Sequence, residues 1–297
     1  MKVFVTGATG LIGRALCEAL LERGDEVLAL TRQPAAALPH GARPVVGDPA
    51  VAGPWTEALG QADAVVHLAG EPVAGGRWTA GRKARIAASR LDSTRLVAAA
   101  IAAGGPRLLV QGSAVGIYGD RGGELLDERA APGRGFLADL AVRWEAAAAP
   151  AEARARVVLV RTGIVLARQG GALEKLALPF RLFAGGPLGD GRAWQPWIHL
   201  ADQVGLLLLA LDDRRASGPL NAVAPGSVQQ AELARTLARV LHRPNLFPVP
   251  GLALRLAVGE LAEVLLASQR VVPAKAEALG YRFRFGELGP ALEDLLG

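Results

Sequence analysis

The sequence predicts a doubly wound parallel α/β sheet with a smaller, mostly helical lobe towards its C-terminus. Three observations carry that reading. Short β-type runs alternate with apolar-periodic helical stretches from residue 2 onward, as in a parallel sheet covered on both faces. A glycine-rich turn joins the first run to the first helix. Later the alternation yields to longer loops and amphipathic pieces punctuated by Pro244, Pro248, Pro250, Pro273 and Gly280. With 297 residues there is room for a full sheet domain and a second lobe around a large core. The sheet domain is expected over 1–165, with segments around 194–225 contributing, and the lobe over 166–193 and 226–297.

Val3, Phe4 and Val5 form the first strand, and a helix follows through Leu16, Leu20 and Leu21. Between them Gly7, Gly10 and Gly13 have separate tasks: one permits the turn, one lets a pyrophosphate approach the backbone, and one lets the helix pack on the strand. Thr9, Leu11 and Ile12 belong to the same turn, where free N–H groups at the helix start meet an anion. This is a Rossmann-like entry, and it implies a dinucleotide. Gly24 closes the helix.

Glu26–Thr31 is the second strand. Its end would hold an acid for a ribose 2′-OH in the NAD arrangement, but Thr31 and Arg32 stand there. Arg32 would pair with a 2′-phosphate, which favours NADP; a solvated loop arginine is the bland alternative. Residues 44–48 form a third strand, with Asp48 placed for an adenine amino group. Residues 64–68 form a fourth, and Leu68, Ala69 and Gly70 lay a slim backbone against the cofactor. The loop 71–79 (EPVAGGRWT) offers Glu71, Arg77 and Trp78 either to a pocket or as a packed lid. A long helix over 81–103 carries Arg90, which can turn towards the site. Strand 107–111 leads into Ser113 and Tyr118, a hydroxyl pair suited to a nicotinamide and its substrate. A helix over 136–149, a strand over 156–161 and an apolar helix over 203–211 follow, with Asp202 as that helix's candidate cap.

Composition excludes several classes. The net charge of +5 comes mainly from scattered arginines, with no basic block, so no nucleic-acid partner is expected. No apolar run approaches a membrane span and no leader region precedes the first strand, so a cytoplasmic chain without a membrane partner is expected. Cys17 lies within the first helix and reads as a small buried apolar residue. The four histidines are too far apart for a metal site.

Taken together, TGATGLIG at 6–13, HLAGEPV at 67–73, SRLDST at 89–94, GSAVGIYGD at 112–120, RTGIVL at 161–166, WIHLAD at 197–202 and SQRVVPAK at 268–275 carry a family likeness. The chain resembles the extended short-chain dehydrogenase/reductase superfamily, in its epimerase-family branch of NADP-dependent nucleotide-sugar epimerase-like proteins. The resemblance covers nearly the whole chain. It implies hydride transfer in which a tyrosine, acidified by a lysine four residues later, moves a proton. No Tyr-x-x-x-Lys pair exists here; Leu137 and Ala141 occupy the expected positions. Two readings stay open. One is an NADP(H)-dependent reductase or epimerase-like enzyme acting on a small molecule, with Ser113, Tyr118, Glu71 or His199 as the replacement group. The other is a cofactor-dependent sensor or scaffold that engages a protein partner without turnover. By analogy the fold implies a homodimer.

Overall fold

The computed structural model describes all 297 residues. It opens with β1 (Lys2–Thr6), α1 (Leu11–Glu22) and β2 (Glu26–Thr31). Val3, Phe4 and Val5 are fully buried, as in a strand covered on both faces. Leu16, Cys17 and Leu20 turn α1 onto the sheet, and burial pushes the Cys17 thiol up to about 12. The helix ends in a Schellman turn: Gly24 at φ 87° donates to Leu21, and Asp25 to Leu20. Next come β3 (Arg43–Val46), α2 (Trp55–Gly60), β4 (Ala64–His67), α3 (Ala80–Ala102) and β5 (Leu108–Ala114). They are followed by β6 (Leu125–Leu126), α4 (Phe136–Ala147), β7 (Arg156–Thr162), β8 (Ile164–Leu166) and α5 (Gly171–Arg181). β9 (Trp194–Gln195), β10 (Trp197–His199), α6 (Leu200–Asp212), β11 (Gly218–Ala222), β12 (Val228–Gln229) and α7 (Gln230–Leu241) continue the chain. It closes with α8 (Gly251–Val258), α9 (Leu261–Leu266), β13 (Arg270–Val271), α10 (Ala274–Ala278) and α11 (Leu288–Leu296).

Seven strands form one parallel sheet in the order β11-β7-β5-β4-β1-β2-β3. The order reverses between β1 and β4, so their C-terminal ends open the crevice where such sheets bind ligands. One face is covered by α1 and α6, through Leu16, Leu20, Leu206 and Leu207. The other is covered by α2 and α3, through Trp55, Val97 and Ile101. A third core joins α5, α7 and α11 through Leu173, Phe180, Leu237 and Leu292.

The C-terminal stretch does two things. Leu288, Ala291 and Leu292 of α11 complete the third core, while Ala276, Tyr281 and Phe283 return to the central sheet. β13 also pairs with β6. The structure adds two helices the pattern hides. α2 is only six residues long, and α5 contains Pro179, which mimics a helix stop. It also moves one cap. His199, not Asp202, caps α6, its Nδ1 accepting from the Ala201 N–H at 3.0 Å. Asp202 is buried inside the first turn and accepts from the Arg284 and Phe285 N–H groups.

Candidate functional site

The glycine turn is built so that side chains are excluded. Gly7 holds φ 71°, and a Cβ there would stand 2.8 Å from the Leu68 carbonyl carbon. At Gly13 a Cβ would stand 2.2 Å from the Gly7 oxygen, so any side chain pushes α1 off the turn. Gly10 precedes the helix, and no side chain caps that end. The first-turn N–H groups of Leu11, Ile12 and Gly13 are thereby left for an anion. Thr9 and Gly10 are exposed beside them.

The opposite lip of the crevice is the segment after β4. The Thr6 hydroxyl accepts from the Leu68 and Ala69 N–H groups, each at 3.1 Å, and donates to His67 Nδ1 at 2.6 Å. His67 Nε2–H then donates to Ser93, whose hydroxyl donates to the Ser89 carbonyl. Full burial holds the His67 ring neutral, its pKa pushed down to about 3. This chain of bonds pins the 68–69 backbone against the glycine turn. Arg90 reaches the same lip: its Nη1 donates to the Glu71 carbonyl, and the guanidinium lies 5.1 Å from the Trp144 ring centre. A Cβ on Gly70 would press on that guanidinium at 3.1 Å, so the bare backbone there makes room for Arg90. Burial pushes the Arg90 pKa down to about 10.

Arg32 is exposed just beyond β2, following the buried Thr31. Asp48 accepts from the Ala50 N–H at 2.9 Å and stays half-buried.

The four acid–base candidates separate by exposure. The Glu71 side chain is 29% exposed, with Arg82 and Arg85 nitrogens each 3.7 Å from its carboxylate. Ser113 is 5%, Tyr118 0% and His199 5% exposed. Ser113 donates to Glu145 at 2.6 Å, and Arg161 grips both oxygens of that carboxylate at 2.9 Å. Arg161 also donates to the Tyr118 hydroxyl, which donates to Asn221 Oδ1 at 2.7 Å. Burial raises the Tyr118 pKa despite the arginine. The structure thus joins Ser113, at the C-terminal end of β5, to Tyr118 through Glu145 and Arg161 in one chain of bonds. His199 stacks on Phe285 with centres 3.9 Å apart, and burial lowers its pKa although Asp294 lies 3.3 Å away.

Glu145, Arg161 and Asn221 are absent from the sequence-derived candidates. One signal for Arg161 exists: a charge inside the apolar run RVVLVR requires a partner once the strand is buried. Leu137 lies against Gly116, whose Cβ would meet it at 3.4 Å, and Ala141 is buried in an apolar cluster. Trp78 packs edge-on against Phe136, and Arg77 donates to the Leu256 carbonyl. Trp78 thus anchors loop 71–79, while Pro72, residues 74–77 and Thr79 stay exposed and Glu71 at its start is half-buried.

The sheet order, the switch-point crevice and the glycine turn define a Rossmann-like chain of the extended short-chain dehydrogenase/reductase type. The chain belongs to the NAD dependent epimerase/dehydratase family, which matches residues 3–223, and a domain of unknown function (DUF1731) matches residues 249–295. It is similar to the epimerase family protein SDR39U1 of Mus musculus, 39% identical with both chains covered in full. The epimerase family protein ML0860 of Mycobacterium leprae is 37% identical over 98% of this chain and 94% of its own. Among solved structures, human SDR39U1 crystallised with NADPH superposes at a TM-score of 0.90, with 36% identity, 100% of this chain and 99% of that one. A nucleoside-diphosphate sugar epimerase from Corynebacterium glutamicum superposes at 0.82, with 35% identity over 100% of this chain and 58% of its own. No helix is long and apolar enough to cross a membrane.

Proposed function

We propose that this chain binds NADP(H) in the switch-point crevice and acts on a small molecule as a reductase or epimerase-like enzyme, with Glu71 as its acid–base group. The carrying observation is the glycine cradle, which admits no Cβ at Gly7 or Gly13 and leaves the α1 N-terminus uncapped. Gly7, Thr9, Gly10, Leu11, Ile12 and Gly13 would hold the pyrophosphate, and Thr31 and Arg32 the 2′-phosphate end. Asp48 would take the adenine amino group, while Leu68, Ala69, Gly70 and Arg90 would line the middle and the nicotinamide ribose. When bound, the cofactor supplies or accepts a hydride. Glu71 is the one of the four candidates with an accessible group, and its neighbouring arginines orient the carboxylate. The lobe of 166–193 and 226–297 would cover the substrate.

A second reading, a cofactor-bound sensor without turnover, draws on one observation: the Ser113 and Tyr118 hydroxyls are locked inside the fold. Incubation with 4-deuterated NADPH and a panel of sugar nucleotides, ketones and aldehydes separates the two. The enzyme reading expects label to leave in the wild type and to leave at least about a hundredfold more slowly in Glu71→Gln, with NADPH fluorescence titrations unchanged. Label retained across the whole panel supports the sensor instead.

A further inference from the structure

We infer that the substrate of this site is amphipathic, with its polar end at Glu71 and an alkyl or isoprenoid chain lying in an apolar trough between α5 and α8; this rests on the crevice reading above. Leu178 of α5, Leu182 at its C-cap, Phe183 and Phe247 beyond it, and Leu252 and Leu256 of α8 are each more than half exposed. Single exposed leucines are ordinary, but a set of this size on adjoining elements marks a binding surface.

The backbone explains how they meet. Leu188 and Val249 pair as a parallel bridge, and the Leu246 and Phe247 N–H groups both donate to the Gly185 carbonyl. The segment leaving α5 and the segment entering α8 therefore form one floor, and the helices are its two walls. Leu178 with Leu182, and Leu252 with Leu256, are i,i+4 pairs, so each wall presents a row. Lys175, one turn before Leu178, donates to the Ala74 carbonyl at 3.2 Å, and Arg77 donates to the Leu256 carbonyl. Loop 71–79 thus touches both walls, and the trough opens on the loop that begins with Glu71. At the start of α5, a Cβ on Gly171 would meet Leu11 at 2.9 Å, so that wall also borders the glycine cradle. Phe183 holds φ 60°, a backbone that bulky residues rarely adopt, and its exposed ring has the Arg243 guanidinium 4.6 Å from its centre.

Six apolar side chains provide water release and dispersion but no hydrogen-bond partners. That suits a run of methylenes and leaves a sugar's hydroxyls unsatisfied. Continuity with the crevice commits the trough to a substrate's chain rather than to a partner protein.

The test is calorimetric titration of the NADPH-loaded protein with straight-chain primary alcohols of four, six, eight and ten carbons, whose uncharged head groups are not repelled by the Glu71 carboxylate, below their solubility limits. Affinity is expected to rise about fourfold per methylene at one saturable site. In Leu178→Gln/Leu256→Gln the rise should flatten, while NADPH affinity, read separately by fluorescence, stays unchanged. Affinity independent of chain length, an equal rise in the variant, or uptake without saturation as on a lipid-like surface overturns the trough. So does a wild-type dimer by sedimentation that the variant converts to monomer. Loss of NADPH binding by the wild-type protein would instead overturn the crevice reading beneath it.

Discussion

At the scale of residues, local chemistry makes two sharp demands. Arg32 stands exposed where an NAD-type chain would place an acid. Arg32→Ala should cost NADPH about 1.5–3 kcal/mol, the value of a charge-assisted bond, so its affinity falls about tenfold or more. NADH affinity should hardly change, and paired fluorescence titrations read both. His67 makes the second demand. Its ring stays neutral in the fold down to about pH 3, against an ordinary value of 6.5. The unfolded chain takes up the proton first as pH falls below 6.5, so this contribution is complete above that value and is lost progressively down to about pH 3. Between pH 8 and pH 5 the loss is about 2 kcal/mol. Urea unfolding of wild type and His67→Gln at both pH values checks it: the stability gap should narrow by that amount at pH 5.

Elements carry these groups to the crevice, and their contact geometry decides which changes they tolerate. Gly13→Ala would drive a methyl into the Gly7 carbonyl oxygen, 2.2 Å from its ideal position. The helix must shift, at a cost of about 1–3 kcal/mol, and NADPH binding should weaken with it because the first-turn N–H groups move. Gly60, at the end of α2, meets nothing within 4 Å. Gly60→Ala should leave NADPH binding intact and stabilise the chain by up to about 0.5–1 kcal/mol. Thermal melts with and without NADPH distinguish the two variants. The strands and α1 were legible because a Val/Leu run or a glycine turn defines its own backbone over a few residues. The α6 cap was not: Asp202 has the right chemistry for a cap, but Tyr281, Arg284 and Phe285 recruit its carboxylate from the far end of the chain.

Across the whole molecule, the C-terminal stretch is part of the folding unit. Without residues 249–297, the central sheet loses Ala276 and α7 loses its α11 partner. A chain ending at 248 should therefore bind a hydrophobic dye and lack near-UV circular dichroism; a cooperative melt with NADPH binding intact would show the segment to be dispensable. The sequence by itself determined the parallel sheet and the cradle at its edge, because short continuous apolar runs and glycine backbone freedom act over short spans. Only the tertiary structure decided which polar side chains are accessible. Ser113, Glu145, Arg161, Tyr118 and Asn221 meet from β5, α4, β7, the turn after β5, and β11. Their burial leaves each hydroxyl bound to a partner distant in sequence. Glu71 lies beyond the end of β4 and keeps 29% of its side chain exposed, although Arg82 and Arg85 of α3 stand 3.7 Å from its carboxylate.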